Sequence, residues 1–193
     1  MIAYAEWVNA HPLLSAAVQF AILGTLGEVI SASVRARRPA LPCGIGQLAA
    51  KVAAWALLGL VIKAGFTGMK GFTRALIEHG FLPARAASGL GWAVSVSVLT
   101  NLFFGPQMMA FHRLEDNLIL RRRGFAGIER AWWTLVWFWI PAHTLTFSLP
   151  PEYQIGLAAL WGLVLGIILG LTTPPTPRPS TVVDTRRRDV AAR

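Results

Sequence analysis

The chain has 193 residues, of which 54% are apolar and only 14% are charged, whereas about 25% are charged in an ordinary soluble domain. So few charges cannot cover that much apolar surface in water. The composition therefore excludes a soluble globular enzyme and a disordered chain. The single cysteine, Cys43, excludes a scaffold of internal disulfides and a cysteine metal site.

The formal net charge is +9. In a soluble protein such a charge would indicate nucleic-acid binding. In a membrane protein it is typical of cytoplasmic loops that lie against anionic lipid. We therefore expect the Arg-rich loops to contact anionic lipid of a bilayer, and we expect no nucleic acid partner.

Five apolar segments reach or approach the length of about 20 residues that a helix needs to cross a bilayer. In chain order they are residues 13–34, 45–66, 86–111, 131–149 and 153–171. They predict an all-α fold, a polytopic transmembrane helical bundle in which four or five segments span fully. Residues 13–171 then form one transmembrane domain after a short amino-terminal segment, 1–12. The tail, 172–193, is rich in Pro, Thr and Arg, which predicts disorder.

Residues 68–80 follow the second segment and carry charged side chains at helical spacing. Lys70, Arg74 and Glu78 alternate with Phe72 and other apolar residues. Either the second span continues into water, or a short amphipathic helix lies on the outer membrane surface. We favour continuation.

The basic residues between the segments are distributed unequally. Three follow the second segment, and thirteen follow the first, third and fifth: Arg35, Arg37, Arg38, Arg113, Arg121, Arg122, Arg123, Arg130, Arg178, Arg186, Arg187, Arg188 and Arg193. No basic residue precedes Arg35, so the first segment lacks the positive start of a signal peptide and is expected to be retained. The positive-inside rule predicts the amino terminus outside and the carboxy terminus in the cytoplasm. We favour a bacterial inner (plasma) membrane.

Four patches of the sequence carry a resemblance to a known family. They are Tyr4 with His11-Pro12 and Gly27-Glu28, then Gly65-Phe66-Thr67-Gly68, then Thr100-Asn101 with Pro106, and finally Trp139, Pro141, Phe147, Pro150 and Tyr153. In this order the chain resembles a divergent, bacterial-type member of the Mpv seventeen/peroxisomal membrane protein twenty-two family. That family is described with four spans, so the resemblance implies that one of the five segments is partial or interfacial.

The chain departs from the family pattern at three of these places. Glu28 stands where the family has Asp, Thr100-Asn101 replaces Asp-Gln, and Gln154 replaces Arg. The resemblance therefore transfers no ion pair to this chain. It does imply a weakly selective channel for small solutes or ions.

Polar side chains inside the apolar segments are candidate pore or polar-network residues, because an ionisable group at mid-bilayer costs about 2.5–3.5 kcal/mol. The candidates are Glu28, Asn101, His143 and Thr146. Glu28 shares a helix face with Gly24, Thr25 and Ser31. It either faces a pore or has a structural role, in which it reaches the headgroup zone or pairs with Arg35, and we favour the structural role.

Asn101 and His143 each lie near a proline. Pro106 frees the backbone carbonyl of Leu102, and the Asn101 amide either satisfies this disturbed backbone or lines a pore. His143, two residues after Pro141, either relays protons and gates a pore or donates to a carbonyl of a neighbouring helix. We favour the structural role for both.

His112 and Asp116 are four residues apart, a spacing typical of a helix-end salt bridge, and no second His nearby would complete a metal site. The sequence contains no G-x-S-x-G, H-E-x-x-H, P-loop or G-x-G-x-x-G motif. We therefore expect no catalytic residue, no metal and no cofactor.

The leading hypothesis is an integral membrane channel or pore for small solutes or ions. A homo-oligomer would fit it, because five short helices enclose little space. The alternatives are a non-conducting membrane scaffold or assembly protein and, third, an intramembrane enzyme that acts on a lipid.

Overall fold

The computed structural model describes residues 2–172. Within this range 86% of the residues are helical and no strand occurs, which confirms the predicted all-α fold. The helices are α1 (Ile2–Ala10), α2 (Pro12–Ala36), α3 (Ile45–Glu78), α4 (Gly89–Leu120), α5 (128–148) and α6 (Pro151–Thr172), with a 3₁₀ turn at Ala84–Ala87. The disorder predicted for the tail concerns residues outside this range, apart from Thr172.

Four helices are long and apolar enough to cross a membrane, namely Pro12–Ala36, Ile45–Glu78, Gly89–Leu120 and Pro151–Leu171. By length and composition these helices give four membrane spans, which is the lower limit of the four or five spans predicted from the sequence. Helix α5 is not among them, because Pro141, His143 and its threonines lower its mean hydropathy. Helix α3 continues without a break to Glu78, so the predicted continuation of the second segment is confirmed.

The five long helices form a ring in chain order. Helix α2 packs along both α3 and α6, α3 packs on α4, the first half of α4 packs on the second half of α5, and that half of α5 packs on α6. Short connections make successive helices antiparallel. We call the end with connections 37–44 and 121–127 the basic end, after its arginines, and the end with connections 79–88 and 149–150 the opposite end.

The half of the bundle toward the opposite end is tightly packed. Its buried core contains Ala16, Phe20, Phe66, Ala93, Val96, Phe147, Ile155, Ala158 and Ala159. Lipid tails are as apolar as these side chains, so dispersion contacts, rather than escape from water, hold the helices together here. The packed half is thus the rigid frame of the bundle.

Small residues let α2 approach α6 closely. A Cβ on Gly166 would lie 3.3 Å from the Gly27 carbonyl oxygen, and one on Gly170 would lie 3.1 Å from the Ser31 Cα. Small residues at four-residue spacing permit such contact between membrane helices. Ser31, on the helix face that it shares with Glu28, thus lies in direct contact with α6.

Helices α4 and α5 each contain a wide turn just before a proline. These are the π-helical segments Thr100–Phe104 and Leu135–Trp139, and in each the backbone N–H of the next residue donates to the carbonyl five residues back. The prolines, Pro106 and Pro141, lack an N–H and disturb the preceding turn. The two π turns contact each other inside the ring, and such turns are frequent at functional sites.

We expect Gly59→Ala to destabilise the bundle by about 1–3 kcal/mol. A Cβ there would lie 2.5 Å from the Ala16 carbonyl oxygen, so α2 and α3 would have to separate. Gly68→Ala is the matched control in the same helix, because its Cβ would meet nothing within 4 Å. Thermal unfolding in one detergent should show a lower midpoint for Gly59→Ala alone. Equal midpoints for the two variants would contradict the close packing of α2 on α3.

Candidate functional site

The helices enclose a cavity of about 410 Å³ in the half of the bundle toward the basic end. It extends from Asn101 and His143, near the middle of the bundle, to Arg35 and to Pro42 in the connection between α2 and α3. Its volume lies within the range of about 300–1,000 Å³ that is typical of small-molecule sites. The cavity is therefore the candidate functional site.

Most of the cavity wall is apolar. Its larger members are Phe20, Trp55, Ile62, Phe66, Phe104, Met108, Met109, Leu135, Trp139 and Leu165. The polar side chains are concentrated at the two ends. We call the end with Thr100, Asn101 and His143 the floor, and the end with Glu28 and Asp116 the charged mouth.

At the floor, hydrogen bonds fix the orientation of the Asn101 amide and the tautomer of His143. The Asn101 Nδ2 lies 2.8 Å from the Ser97 carbonyl oxygen and 3.1 Å from the His143 Nδ1. Because the Ser97 carbonyl oxygen can only accept, the atom that faces it must be the amide nitrogen of Asn101, which donates one N–H. The second N–H of this amide then points to the imidazole of His143. His143 Nδ1 therefore accepts, and the neutral ring carries its proton on Nε2.

The His143 ring is enclosed by aromatic neighbours. Its centroid lies 5.0 Å from that of Trp139, 5.2 Å from that of Phe66 and 5.9 Å from that of Phe147. These contacts and the Asn101 amide hold the imidazole in place. The hydrogen bond with Asn101 at Nδ1 is the only one that the ring makes within residues 2–172, and His143 lines the cavity, so the Nε2–H remains available to a molecule there.

Three further polar atoms near the floor have no partner in the described part of the chain. They are the Thr100 Oγ1, the Asn101 Oδ1 and the Trp139 Nε1, and each is shielded from water. Thr100 and Asn101 are 1% and 4% exposed, and all three residues contribute to the cavity wall. Buried polar groups are nearly always hydrogen-bonded, so within residues 2–172 the floor is one of two places near the cavity with several unsatisfied polar atoms, the other being His112 and Glu115 toward the mouth.

The charged mouth is held by a buried lysine. The Lys51 Nζ lies 2.7 Å from the Glu28 Oε2 and 2.7 Å from the Asp116 Oδ1, and the Trp55 Nε1 donates to the Glu28 Oε1 at 2.8 Å. Lys51 is 3% exposed. The network joins α2, α3 and α4 and pairs each carboxylate with the same ammonium.

The structure corrects two predicted ion pairs. Glu28 does not pair with Arg35, whose guanidinium donates to the Ser31 Oγ at 3.0 Å, because Lys51 lies closer to its carboxylate. The predicted salt bridge of His112 with Asp116 is also wrong, since Asp116 binds Lys51. His112 instead packs against the Trp55 ring at 4.7 Å and lies 3.9 Å from the Glu115 carboxylate.

Three of the four candidate residues line the same cavity, namely Glu28, Asn101 and His143. The fourth, Thr146, is fully buried, and its Oγ1 donates to the Ala142 carbonyl 2.9 Å away in the same helix. It does not line the cavity. The Asn101 amide hydrogen-bonds to a backbone carbonyl, as predicted for its structural role. This carbonyl belongs to Ser97, however, and not to Leu102 as predicted.

The positions that carry the family resemblance are spread over the bundle. Gly27 and Trp139 join Glu28 in the cavity wall, whereas His11, Pro12, Pro106, Pro141, Phe147, Pro150 and Tyr153 do not. Tyr153 stacks on Tyr4 at 5.8 Å. Tyr4 donates to Gln19 at 2.8 Å, and burial raises the pKa of Tyr4. Gln154 accepts a hydrogen bond from Lys70 at 2.9 Å.

Sequence reasoning missed four residues of the site. The sequence pattern does not single out Lys51 or Trp55, and Thr100 and Trp139 stand out there only as positions of the family resemblance. The i, i+4 spacing of Lys51 and Trp55 was the available signal, because it places a cation and an indole N–H on one face of α3. No local sequence pattern indicates that the Thr100 hydroxyl lacks a hydrogen-bond partner.

Comparison with known proteins finds no family model, no curated protein and no solved structure that matches this chain. Membership of the Mpv seventeen family therefore stays a prediction. The residues described also contain no group of three or more His, Cys, Asp or Glu side chains that could hold a metal ion.

We expect Lys51→Met to destabilise the protein by about 1–3 kcal/mol, because it leaves the partly buried carboxylates of Glu28 and Asp116 without their counter-charge. Adding Glu28→Gln and Asp116→Asn should restore most of the loss, since the network then contains no charge. Lys63→Met is the control, as Lys63 makes no ion pair within residues 2–172. Unfolding midpoints provide the measurement. A Lys51→Met protein as stable as Lys63→Met would show that the network does not hold the mouth.

Proposed function

We propose that this chain is an integral membrane protein that lets small solutes or ions cross a bilayer, with the cavity as its inner vestibule. The observation that supports this most strongly is the convergence of Glu28, Asn101 and His143, from three different helices, on one cavity. Polar side chains that face a shared cavity between apolar helices are typical of solute and ion pathways. The resemblance to the Mpv seventeen family favours the same function.

The proposed location is the bacterial inner membrane, with the amino terminus outside and the basic end in the cytoplasm. Arg35 lies in the last turn of α2 at that end and Arg37 and Arg38 follow it, while Arg121, Arg122 and Arg123 follow α4 there. Arginines in short loops next to spans orient a protein toward the cytoplasm and attract anionic lipid. The cavity would then reach the cytoplasmic side.

A passage through the bundle must open beyond the floor. Phe66 belongs both to the cavity wall and to the packed core, its ring lies 4.8 Å from that of Phe147, and it is 3% exposed. Hydrophobic constrictions of this kind close pores by excluding water. We propose that these two rings form the closed gate of the passage.

A non-conducting scaffold protein is the second candidate, and the Lys51 network favours it. This network and the hydrogen bond from the Ser97 Oγ to the Ile140 carbonyl, 2.7 Å long, both join helices. In a scaffold, Glu28 would serve helix assembly alone. Conductance separates the two candidates, because a scaffold has none.

We expect Phe66→Ala to raise the conductance of planar bilayers that contain the purified protein by at least about tenfold, because it removes half of the hydrophobic gate. Phe72→Ala is the matched control: Phe72 lies in the same helix but is 38% exposed and contacts Phe103. Conductance should stay at the wild-type level in this control. Silent bilayers for wild type and Phe66→Ala, with insertion verified, would overturn the channel and leave the scaffold.

A further inference from the structure

We propose that the cavity binds an elongated, uncharged amphipathic molecule whose single hydroxyl or carbonyl oxygen accepts a hydrogen bond from the His143 Nε2–H. This inference rests on the proposed function, in which the cavity takes up solutes, and it names the chemical class that the cavity prefers. Its support comes from the polarity of the floor, the apolar wall and the placement of charge.

The floor presents an unused donor at a fixed position. Asn101 donates to the His143 Nδ1 at 3.1 Å and so leaves the imidazole proton on Nε2, where no residue of the described chain accepts it. Asn101 is therefore a positioning residue, since it makes His143 a donor toward the cavity. An oxygen acceptor on the ligand fits this donor.

The unsatisfied atoms around the floor supply further partners. Thr100 is adjacent to Asn101 in the π turn of α4, and the Trp139 ring lies 5.0 Å from that of His143. Both residues contribute to the cavity wall, and their Oγ1 and Nε1 atoms are buried without partners in the described part of the chain. In the proposed complex the Thr100 hydroxyl pairs with the ligand oxygen, and a buried polar group that lacks a partner in the ligand-free protein gains one.

The placement of charge excludes an ionised headgroup at the floor. The charged residues of the wall are Glu28, Asp116 and Arg35, all toward the basic end, and Lys51 already neutralises one of the two carboxylates. Asn101 and Asp116 are fifteen residues apart, about 20 Å along the helix. A phosphate or an ammonium group at the floor would thus be desolvated without a counter-charge.

The wall between floor and mouth favours an extended apolar body. It is built from aromatic side chains and from Met108 and Met109, whose flexible thioethers adapt to ligands of different shape. A length of about 20 Å from floor to mouth suits a chain better than a compact ring system. An isoprenoid or alkyl chain with one terminal oxygen has these properties.

The test is equilibrium binding of radiolabelled farnesol to the protein in phosphatidylcholine nanodiscs, with empty nanodiscs subtracted. Farnesyl phosphate and farnesylamine carry the same chain with an anionic and a cationic head. We expect saturable binding of one farnesol per protein and binding at least about tenfold weaker for both charged analogues. Equal or tighter binding of either charged analogue, or no saturable farnesol binding, would overturn the proposal.

Two variants locate the headgroup. His143→Phe keeps an aromatic ring but removes the donor, and it should weaken farnesol binding at least about fivefold. Thr100→Val removes only the unpartnered hydroxyl. It should weaken binding by a factor of about three while raising the unfolding midpoint of the ligand-free protein, a combination that a purely structural role does not produce.

The controls apply similar exchanges outside the cavity. Gln107→Leu replaces an exposed amide of α4, and His79→Phe replaces an exposed histidine at the end of α3, so both should bind farnesol like the wild type. If Thr100→Val also binds farnesol like the wild type, the headgroup does not lie at the floor and the proposal fails, even where His143→Phe does not fold.

Conductance of the same preparation distinguishes this inference from the proposed function. Farnesol that binds as predicted to a silent protein would overturn the channel and support the binding site. A conducting protein without saturable farnesol binding would overturn the binding site and leave the channel. In a protein with both properties, farnesol should reduce the conductance, because it occupies the passage.

Discussion

Hydrocarbon offers no hydrogen-bond partner, so the polar groups between these helices must be satisfied inside the bundle. Lys51 shows the constraint most clearly, because its buried ammonium takes both Glu28 and Asp116 within 2.7 Å. Each of the three residues comes from a different helix. The network therefore fixes how α2, α3 and α4 are rotated about their axes, and this rotation turns Glu28 and Trp55 toward the cavity.

The bundle is divided into a packed half and a hollow half. Toward the opposite end, small and aromatic residues fill the space between the helices. Toward the basic end, the π turns of α4 and α5 and their prolines widen the ring, and the cavity begins there. These two turns carry Thr100, Asn101 and Trp139, so the same backbone irregularities that lie beside the cavity also supply polar atoms of its floor.

Much of this fold is predictable from the sequence, because long apolar segments have few other structures open to them. The continuation of α3 through Lys70 and Arg74 followed from helical spacing. The pairing of Glu28 with Lys51 did not follow, because it depends on the rotation of two helices whose relative orientation no local pattern encodes. Thr146 illustrates the converse: its hydroxyl bonds to its own helix, so a polar residue in an apolar segment need not face a cavity.

Cysteine accessibility tests most directly whether these helices surround a cavity that reaches the basic end. Cys43 is the only native cysteine, so the Cys43→Ser protein does not react with thiol reagents. Two single cysteines are then added to it: Met109→Cys in the cavity wall and Leu102→Cys on the exposed outer surface of α4. A small, charged, membrane-impermeant thiol reagent applied from the basic-end side should modify Met109→Cys and leave Leu102→Cys unmodified. Protection of Met109→Cys, with a cysteine at Arg38 modified in parallel, would contradict the account.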